Sequence, residues 1–390
     1  MRICHVITRL IVGGAQENTL LTCEGLHQKG HEVILMVGPE TGREGSLWRR
    51  AERGGYTVER MDTLVRGVAP IQDIRCRRAM ARRFTELRPA VVHTHSSKAG
   101  VLGRMAARQA DVPAIVHTIH GMSFNRTQPW HVRSAYRWME RRCARSTDAF
   151  ITVADAMTDQ AVAAGLAERA RFITIYSGME TDAFDSTRYD RPAVRAEWGV
   201  GPEHVVIGTI ARLFRNKGYE QLIPAMERAA GANKRLRFVW VGDGDQRAEY
   251  ETMLRDCGLA DRVHLTGLVG PDEVPRLLAG MDLLAHASQW EGLPRVAVQA
   301  LLMEVPVAGF AIDGTPEVVI PEKTGELVPL NDIDGLASAI ERLAGDADRR
   351  KRLGRAGREL CLSRFAHTTM TDQIEAVYRG LIGRSHLPRT

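Results

Sequence analysis

Short apolar runs rich in β-branched residues alternate with longer stretches of helical periodicity from one end of the chain to the other. In the first half, the runs at residues 2–8, 32–37, 56–61, 90–94, 114–118, 149–153 and 171–175 predict strands. Stretches between them, including 15–28, 71–87, 98–109 and 130–144, predict helices. Strand alternating with helix implies parallel sheets, because a parallel neighbour is reached only through a long crossover. A charged, turn-rich stretch at 178–202 interrupts the rhythm and predicts a linker. The rhythm restarts with strands at 205–210, 237–241, 263–266, 283–286 and 306–309, each followed by a helical stretch. The expected architecture is two doubly wound, Rossmann-like α/β domains, residues 1–180 and 203–365, facing an interdomain cleft lined by strand C-terminal ends.

Composition sharpens this picture in three ways. At 390 residues the chain exceeds what one hydrophobic core usually supports, so two domains are the natural division. No apolar run approaches the ~18 residues of a membrane span, and the apolar start at 3–7 leads into Gly13-Gly14, as a first strand and its turn would. The six cysteines are scattered without a C-x-x-C pair, which fits reduced thiols in a cytosol rather than a zinc or disulfide framework.

The formal charge of +6 is unevenly spread. Residues 1–186 hold 26 Lys/Arg against 19 Asp/Glu, net +7, and the remainder is net −1 with 27 against 28. Two segments concentrate the excess: Arg75, Arg77, Arg78, Arg82, Arg83 and Arg88 in one, and Arg126, Arg133, Arg137, Arg141, Arg142 and Arg145 in the other. The second also carries Met122, Phe124, Trp130, Tyr136, Trp138 and Met139, a mixture suited to an anionic membrane surface. An exposed basic face over a buried aromatic seam is the alternative. No nucleic-acid-binding module accompanies the charge, so no nucleic-acid partner is expected.

The most informative stretch runs from Glu291 through Gly292, Leu293, Pro294 and Arg295 to Gln299 and Leu301, joining an acid, a tight turn and an apolar helix. Pro294 suits a first helical turn, so the N–H groups of Gly292 to Arg295 are expected to point outward as an anion seat. Upstream, Arg212 and Lys217 follow a predicted strand in Ala211-Arg212-Leu213-Phe214-Arg215-Asn216-Lys217, and could neutralise a diphosphate bound at such a seat. Gly13 and Gly14 follow the first strand and open a helix. Two polar clusters, His93-Thr94-His95-Ser96-Ser97-Lys98 and His117-Thr118-Ile119-His120, fall at strand C-terminal ends, where sites collect. Alternation along a strand leaves open which histidines converge, and hence whether His93, His95, His117 and His120 could hold a metal.

Taken in order, these motifs resemble the retaining glycosyltransferases of family 4, which have the GT-B architecture. The acid-turn-helix stretch resembles the family's E-x7-E signature, with Gln299 at the second acid. The resemblance implies that Glu291 lies by the donor sugar and that Gln299 accepts hydrogen bonds from the ribose through its neutral carbonyl. It implies diphosphate contacts from Arg212, Lys217, Gly292, Leu293 and Pro294, a glycine-rich loop at Gly13 and Gly14, and a base contact from Leu268. His120 matches the histidine that touches the donor sugar, while Gly13, His95, Ser97 and Lys98 fall on the acceptor side. A terminal helix, 368–384, is expected to cross back onto the first domain.

The two histidine clusters resemble the branch that builds bacterial surface polysaccharides and lipid-linked glycans. That branch implies a UDP-sugar donor, a glycan or polyprenyl-diphosphate-linked acceptor and work at the inner face of the cell membrane. Neither a cofactor nor a metal is expected: Asp243-Gly244-Asp245 spells a metal-binding D-x-D, but the family has a similar turn there without metal dependence. Three departures stand out: Gln299, Asp313 where the family's G-G-x-P-E turn begins with glycine, and Ser177-Gly178-Met179-Glu180 in place of Asn-Gly-Val-Asp. A nucleotide-sugar epimerase and a catalytically weak sugar-nucleotide binder are the alternatives on the same architecture.

Overall fold

In the computed structural model, which describes residues 1–40, 45–124 and 128–385, the apolar runs become thirteen strands in two parallel sheets. The first sheet contains β1 (Arg2–Ile7), β2 (Glu32–Val37), β3 (Thr57–Arg60), β4 (Val91–His95), β5 (Ala114–Ile119), β6 (Ala149–Thr152) and β7 (Phe172–Thr174). Its order is β3-β2-β1-β4-β5-β6-β7. The second contains β8 (Val205–Ile210), β9 (Leu236–Val241), β10 (Val263–Gly267), β11 (Leu283–His286), β12 (Val307–Phe310) and β13 (Gly325–Val328), ordered β10-β9-β8-β11-β12-β13. Contacts divide the chain into one unit of residues 1–179 with 367–390 and another of 180–366.

The helices of the first unit are α1 (Gly14–Gln28), α2 (Trp48–Arg53), α3 (Pro70–Leu87), α4 (Ser97–Gln109), α5 (Trp130–Ala144) and α6 (Asp155–Ala163). Its sheet is buried on both faces, which is why its central strands read as continuous apolar runs. One face packs Ile3, Ile7, Leu20 and Leu26 with Met370, Ile374 and Tyr378 of the terminal helix His367–Ser385. The other packs Cys4, Val6 and Met36 against Met80, Phe84 and Leu102. Gly178 marks where the terminal helix meets this unit: a Cβ there would lie 2.5 Å from the His367 Cα, and the His367 N–H donates to the Met179 carbonyl at 3.0 Å. That close approach accounts for a glycine kept within the divergent Ser177-Gly178-Met179-Glu180.

The second unit packs Tyr219, Trp240, Tyr250 and Phe310 at its centre, all essentially solvent-free. Each such side chain contributes roughly 2–3 kcal/mol on burial. The stretch expected to be a linker instead carries the helix α7 (Arg191–Glu197), whose Asp190 caps the Ala193 N–H. Arg191 and Arg195 both pair with Asp282, at 2.7 and 3.0 Å, so ion pairs distant in sequence fold this charged segment against the second sheet. Sequence periodicity also missed β13, a short strand with Glu326 buried among apolar neighbours and paired to Arg342 and Arg349.

In each sheet the strand order reverses once, between β1 and β4 and between β8 and β11. Loops leaving strands on either side of such a reversal diverge and open a crevice at the strand C-terminal ends. These loops carry Gly13 with Ser97 in the first unit and Lys217 with Glu291 in the second.

Candidate functional site

In the second unit, the loop after β8 ends in a turn of 3₁₀ helix, Arg215–Lys217, closed by Gly218. Gly218 has φ 74°, and a Cβ there would stand 1.8 Å from the Ala287 carbonyl oxygen, so only glycine lets the two loops approach. The Gln289 N–H donates to the Asn216 carbonyl at 2.9 Å and locks them together. The approach delivers the Lys217 Nζ to the Glu291 Oε1 at 2.5 Å and to the Ser288 Oγ at 3.5 Å. His286, on the last residue of β11, places its Nε2 3.8 Å from the same carboxylate oxygen.

Burial acts to raise the Glu291 carboxyl, but the Lys217 ammonium, together with the hydrogen bonds from Lys217 and Ser288, outweighs it and holds the pKa below its usual value. Burial lowers that of His286, which therefore stays neutral. The site thus presents an ionised carboxylate, a cation and a neutral imidazole, all largely shielded from water.

The anion seat differs from expectation in one respect. Pro294 is the residue before α11 (Arg295–Leu302) rather than a member of its first turn, and its carbonyl accepts from the Ala297 N–H at 3.0 Å. The seat is therefore confined to residues preceding Ala297. Gly292, Leu293 and Pro294 are buried, and Gln299 is half-buried on the second turn of α11. Asp313 takes φ 47°, a conformation that favours glycine, and its Oδ2 accepts the Glu291 N–H at 2.8 Å. The carboxylate where the family has glycine thus holds the backbone of the candidate acid.

Arg212 is exposed with its guanidinium 4.8 Å from the centre of the Phe214 ring, whereas Lys217 pairs with Glu291. Leu268 is 55 % exposed beside Gly267, which bridges Gly242 at the ends of β9 and β10. Asp243 of the D-x-D sequence bonds the Gly244 N–H and pairs with Arg247.

In the first unit, Gly13 precedes α1 with an extended backbone and Gly14 begins it; neither takes a positive φ. The β1 and β4 ends are tied by Thr8, whose hydroxyl lies 2.7 Å from the Ser96 Oγ and accepts the Ala99 N–H at 3.1 Å. Ser97 begins α4, while Lys98 is held by Asp73 at 2.5 Å and by the Gly67 carbonyl.

Register decides which histidines converge. Pairing of His5 with His93 aligns β1 and β4. The His5 Nδ1 lies 3.0 Å from the His95 Nε2, and the His95 Nδ1 lies 3.1 Å from the His120 Nε2. A neutral imidazole has one donor and one acceptor, so the direction of one bond fixes the tautomers of all three rings. Burial drives His5 down to about 3 and pushes His93, His95 and His117 well below their usual value.

His117 stands apart, 2.9 Å from the Thr94 hydroxyl. Ligand atoms of His5, His93 and His95 lie within 4.8 Å of one another, the spacing of a metal trio. Both His93 nitrogens are engaged, however, by the Tyr378 hydroxyl at 2.5 Å and by Thr118 at 2.7 Å. His5 and Tyr378 escaped the sequence reading because neither stands in a polar cluster at a strand end: His5 sits between apolar residues in β1, and Tyr378 lies on the terminal helix.

Comparisons with known proteins place the chain in a family. A family profile described as Glycosyltransferase Family 4 matches residues 12–183, and one described as Glycosyl transferases group 1 matches residues 190–360. The chain is 27 % identical over 352 residues to the UDP-Gal:alpha-D-GlcNAc-diphosphoundecaprenol alpha-1,3-galactosyltransferase of Escherichia coli, covering 89 % of this chain and 88 % of that one. It is 28 % identical over 337 residues to a GDP-mannose-dependent alpha-(1-6)-phosphatidylinositol monomannoside mannosyltransferase of Mycobacterium tuberculosis, covering 85 % of each. The crystal structure of HepE from Anabaena in complex with UDP and glucose superposes with a TM-score of 0.83 at 21 % identity, over 97 % of this chain and 100 % of that one. The chain belongs to the family 4, group 1 glycosyltransferases and has their two-unit Rossmann-like fold.

Proposed function

We propose that the chain is a retaining glycosyltransferase that moves a sugar from a UDP-sugar to a lipid-linked or growing surface glycan at the inner face of the cell membrane. The observation that carries this reading is the buried Lys217–Glu291 pair beside the turn into α11. An entering diphosphate offers Lys217 a doubly charged partner, and the N–H groups at Gly292 and Leu293 add to the same potential. Arg212, exposed on its loop, joins them when the nucleotide binds, and Leu268 and Gln299 serve the base and ribose.

With the leaving diphosphate stabilised, the bond to the anomeric carbon breaks first. The acceptor hydroxyl then attacks from the face the diphosphate leaves, and a phosphate oxygen takes its proton. Glu291 and His120 bind the donor sugar in this scheme, which assigns no step to a metal. Gly14 serves the donor diphosphate, and Gly13, His95, Ser97 and Lys98 line the acceptor side. Product analysis distinguishes an epimerase, which alters the sugar without an acceptor, from a transferase.

Calorimetric titration with UDP tests the donor site. Lys217→Ala and Arg212→Ala are each expected to weaken UDP binding by roughly 1.5–3 kcal/mol, the usual worth of a desolvated charge-assisted contact. Unchanged affinity in both removes them from the site. A parallel melting-temperature panel of UDP-, GDP- and ADP-sugars identifies the nucleotide, because a ligand bound only to the native state raises the midpoint.

Gln299→Glu, which restores the family's usual acid, is expected to tighten UDP binding by about 1 kcal/mol by strengthening the ribose bonds. Turnover should change less, since ribose contacts are shared by ground and transition states. Weaker binding with a lower melting temperature would contradict the ribose role.

A further inference from the structure

The described residues expose ten large apolar side chains, and seven of them fall in two segments of the first unit: Val68, Ile71 and Ile74 at the start of α3, and Trp130, Tyr136, Trp138 and Met139 on α5. Such crowding is unlike the single exposed apolar residues scattered over ordinary surfaces. The two segments flank a groove of about 870 Å³ whose wall includes Ile74, Val101, Met105, Val132, Tyr136 and Met139. Ile71, Trp130 and Trp138 lie outside the lining and extend the apolar surface along the same two segments.

The groove has an ordered polarity. Along α4, which contributes to it, Ser97 and Lys98 come first, then Val101 and Leu102, then Met105 about 12 Å from the helix start. The hydroxyl end is shared with Thr8, Gln16 and Ser96, at the strand ends where the acceptor-side residues gather. Both acids in the lining are already neutralised: Asp73 by Lys98 at 2.5 Å, and Glu140 by Arg104 at 2.7 Å. Arg66 and Arg77 also line the groove, and neither forms an ion pair among the described residues. The Arg77 Nε is buried without a hydrogen-bond partner. An occupant that satisfies this surface combines a polar head, negative charge and hydrocarbon.

We propose that this groove seats the hydrocarbon tail of the acceptor lipid, and that Arg66 and Arg77 hold the phosphate joining tail to glycan. The proposal rests on the reading above that the acceptor is lipid-linked, and it commits to the acceptor's own tail rather than to bulk bilayer lipid. Burying the apolar wall against a tail recovers roughly 25 cal/mol per Å². Arginine guanidinium groups bind phosphate bidentately.

The test is calorimetric titration of the full chain, saturated with UDP so that the diphosphate seat of the second unit is filled, with farnesyl diphosphate, farnesol and inorganic pyrophosphate as probes. Farnesyl diphosphate should bind saturably, at least ~10-fold more tightly than either of the others, since tail and phosphate sites contribute separately. Ala135→Trp places an indole in the groove from an exposed position on α5 and should weaken that binding by at least ~10-fold, with UDP affinity and melting temperature unchanged. Met139→Asp should do the same by charging the wall, and replaces the first variant if that one misfolds.

Absence of saturable farnesyl diphosphate binding, or equal binding in both variants, overturns the groove assignment. Equal affinity for farnesol and farnesyl diphosphate overturns the phosphate role of Arg66 and Arg77. Because UDP is titrated separately, failure of the groove leaves the donor site standing, and failure of UDP binding marks failure of the underlying function.

Discussion

Glu291→Gln is expected to lower turnover by at least ~10²-fold, on the order of 3 kcal/mol of transition-state stabilisation, in a protein that remains folded. The substitution keeps shape and hydrogen-bonding capacity but removes the charge that Lys217 holds ionised in a shielded site. Glu291 is bonded through its backbone to Asp313, a contact the mutation leaves alone. Removing the carboxylate also frees the Lys217 ammonium, so affinity for UDP should hold or rise while turnover falls. Loss of catalysis without loss of nucleotide affinity separates a group acting on the sugar from one that merely supports the loop. Near-normal turnover in a well-folded variant, read by steady-state kinetics, would defeat the assignment.

The second large effect is on stability in acid. Burial lowers the pKa of His5, His93, His95, His117 and His286 in the folded protein. An unfolded chain binds protons at these residues from about pH 6.5 downward, whereas the folded chain resists until lower pH, about 3 for His5. Stability is therefore fully present above about pH 6.5 and is lost as the pH falls below it, at up to about 1.4 kcal/mol per histidine per pH unit. The melting temperature should drop steeply between about pH 6.5 and about pH 5, before carboxylates begin to titrate. A flat melting temperature across that interval would contradict the neutral, buried histidine cluster.

The fold was legible wherever a strand is buried on both faces. Glu32–Val37, Val205–Ile210 and Leu283–His286 are continuous apolar runs between turn residues, and such a pattern has few other solutions. Elements held by ion pairs were not legible. Helix α7 looked like a charged linker because its partner Asp282 lies about ninety residues downstream. Strand β13 was hidden by Glu326, whose arginine partners belong to later helices.

The candidate site divides in the same way. The sequence order predicts Arg212, Lys217, Glu291 and Gln299 in one unit, as the structure has them. It could not reveal that Lys217 meets the carboxylate, because Gly218 sets that approach through contact with a distant loop. The histidines could be listed from the sequence, yet only strand register shows that His5 and His95 form a chain to His120 while His117 turns to Thr94.

The most direct test of the account is to incubate the protein with a UDP-sugar and a polyprenyl-diphosphate-linked glycan, and to follow product mass together with the anomeric configuration of the first product by NMR. The account predicts a product heavier by one sugar, UDP released in equal amount, and the donor's anomeric configuration retained. An inverted product, or a sugar altered without transfer to any acceptor, would contradict it.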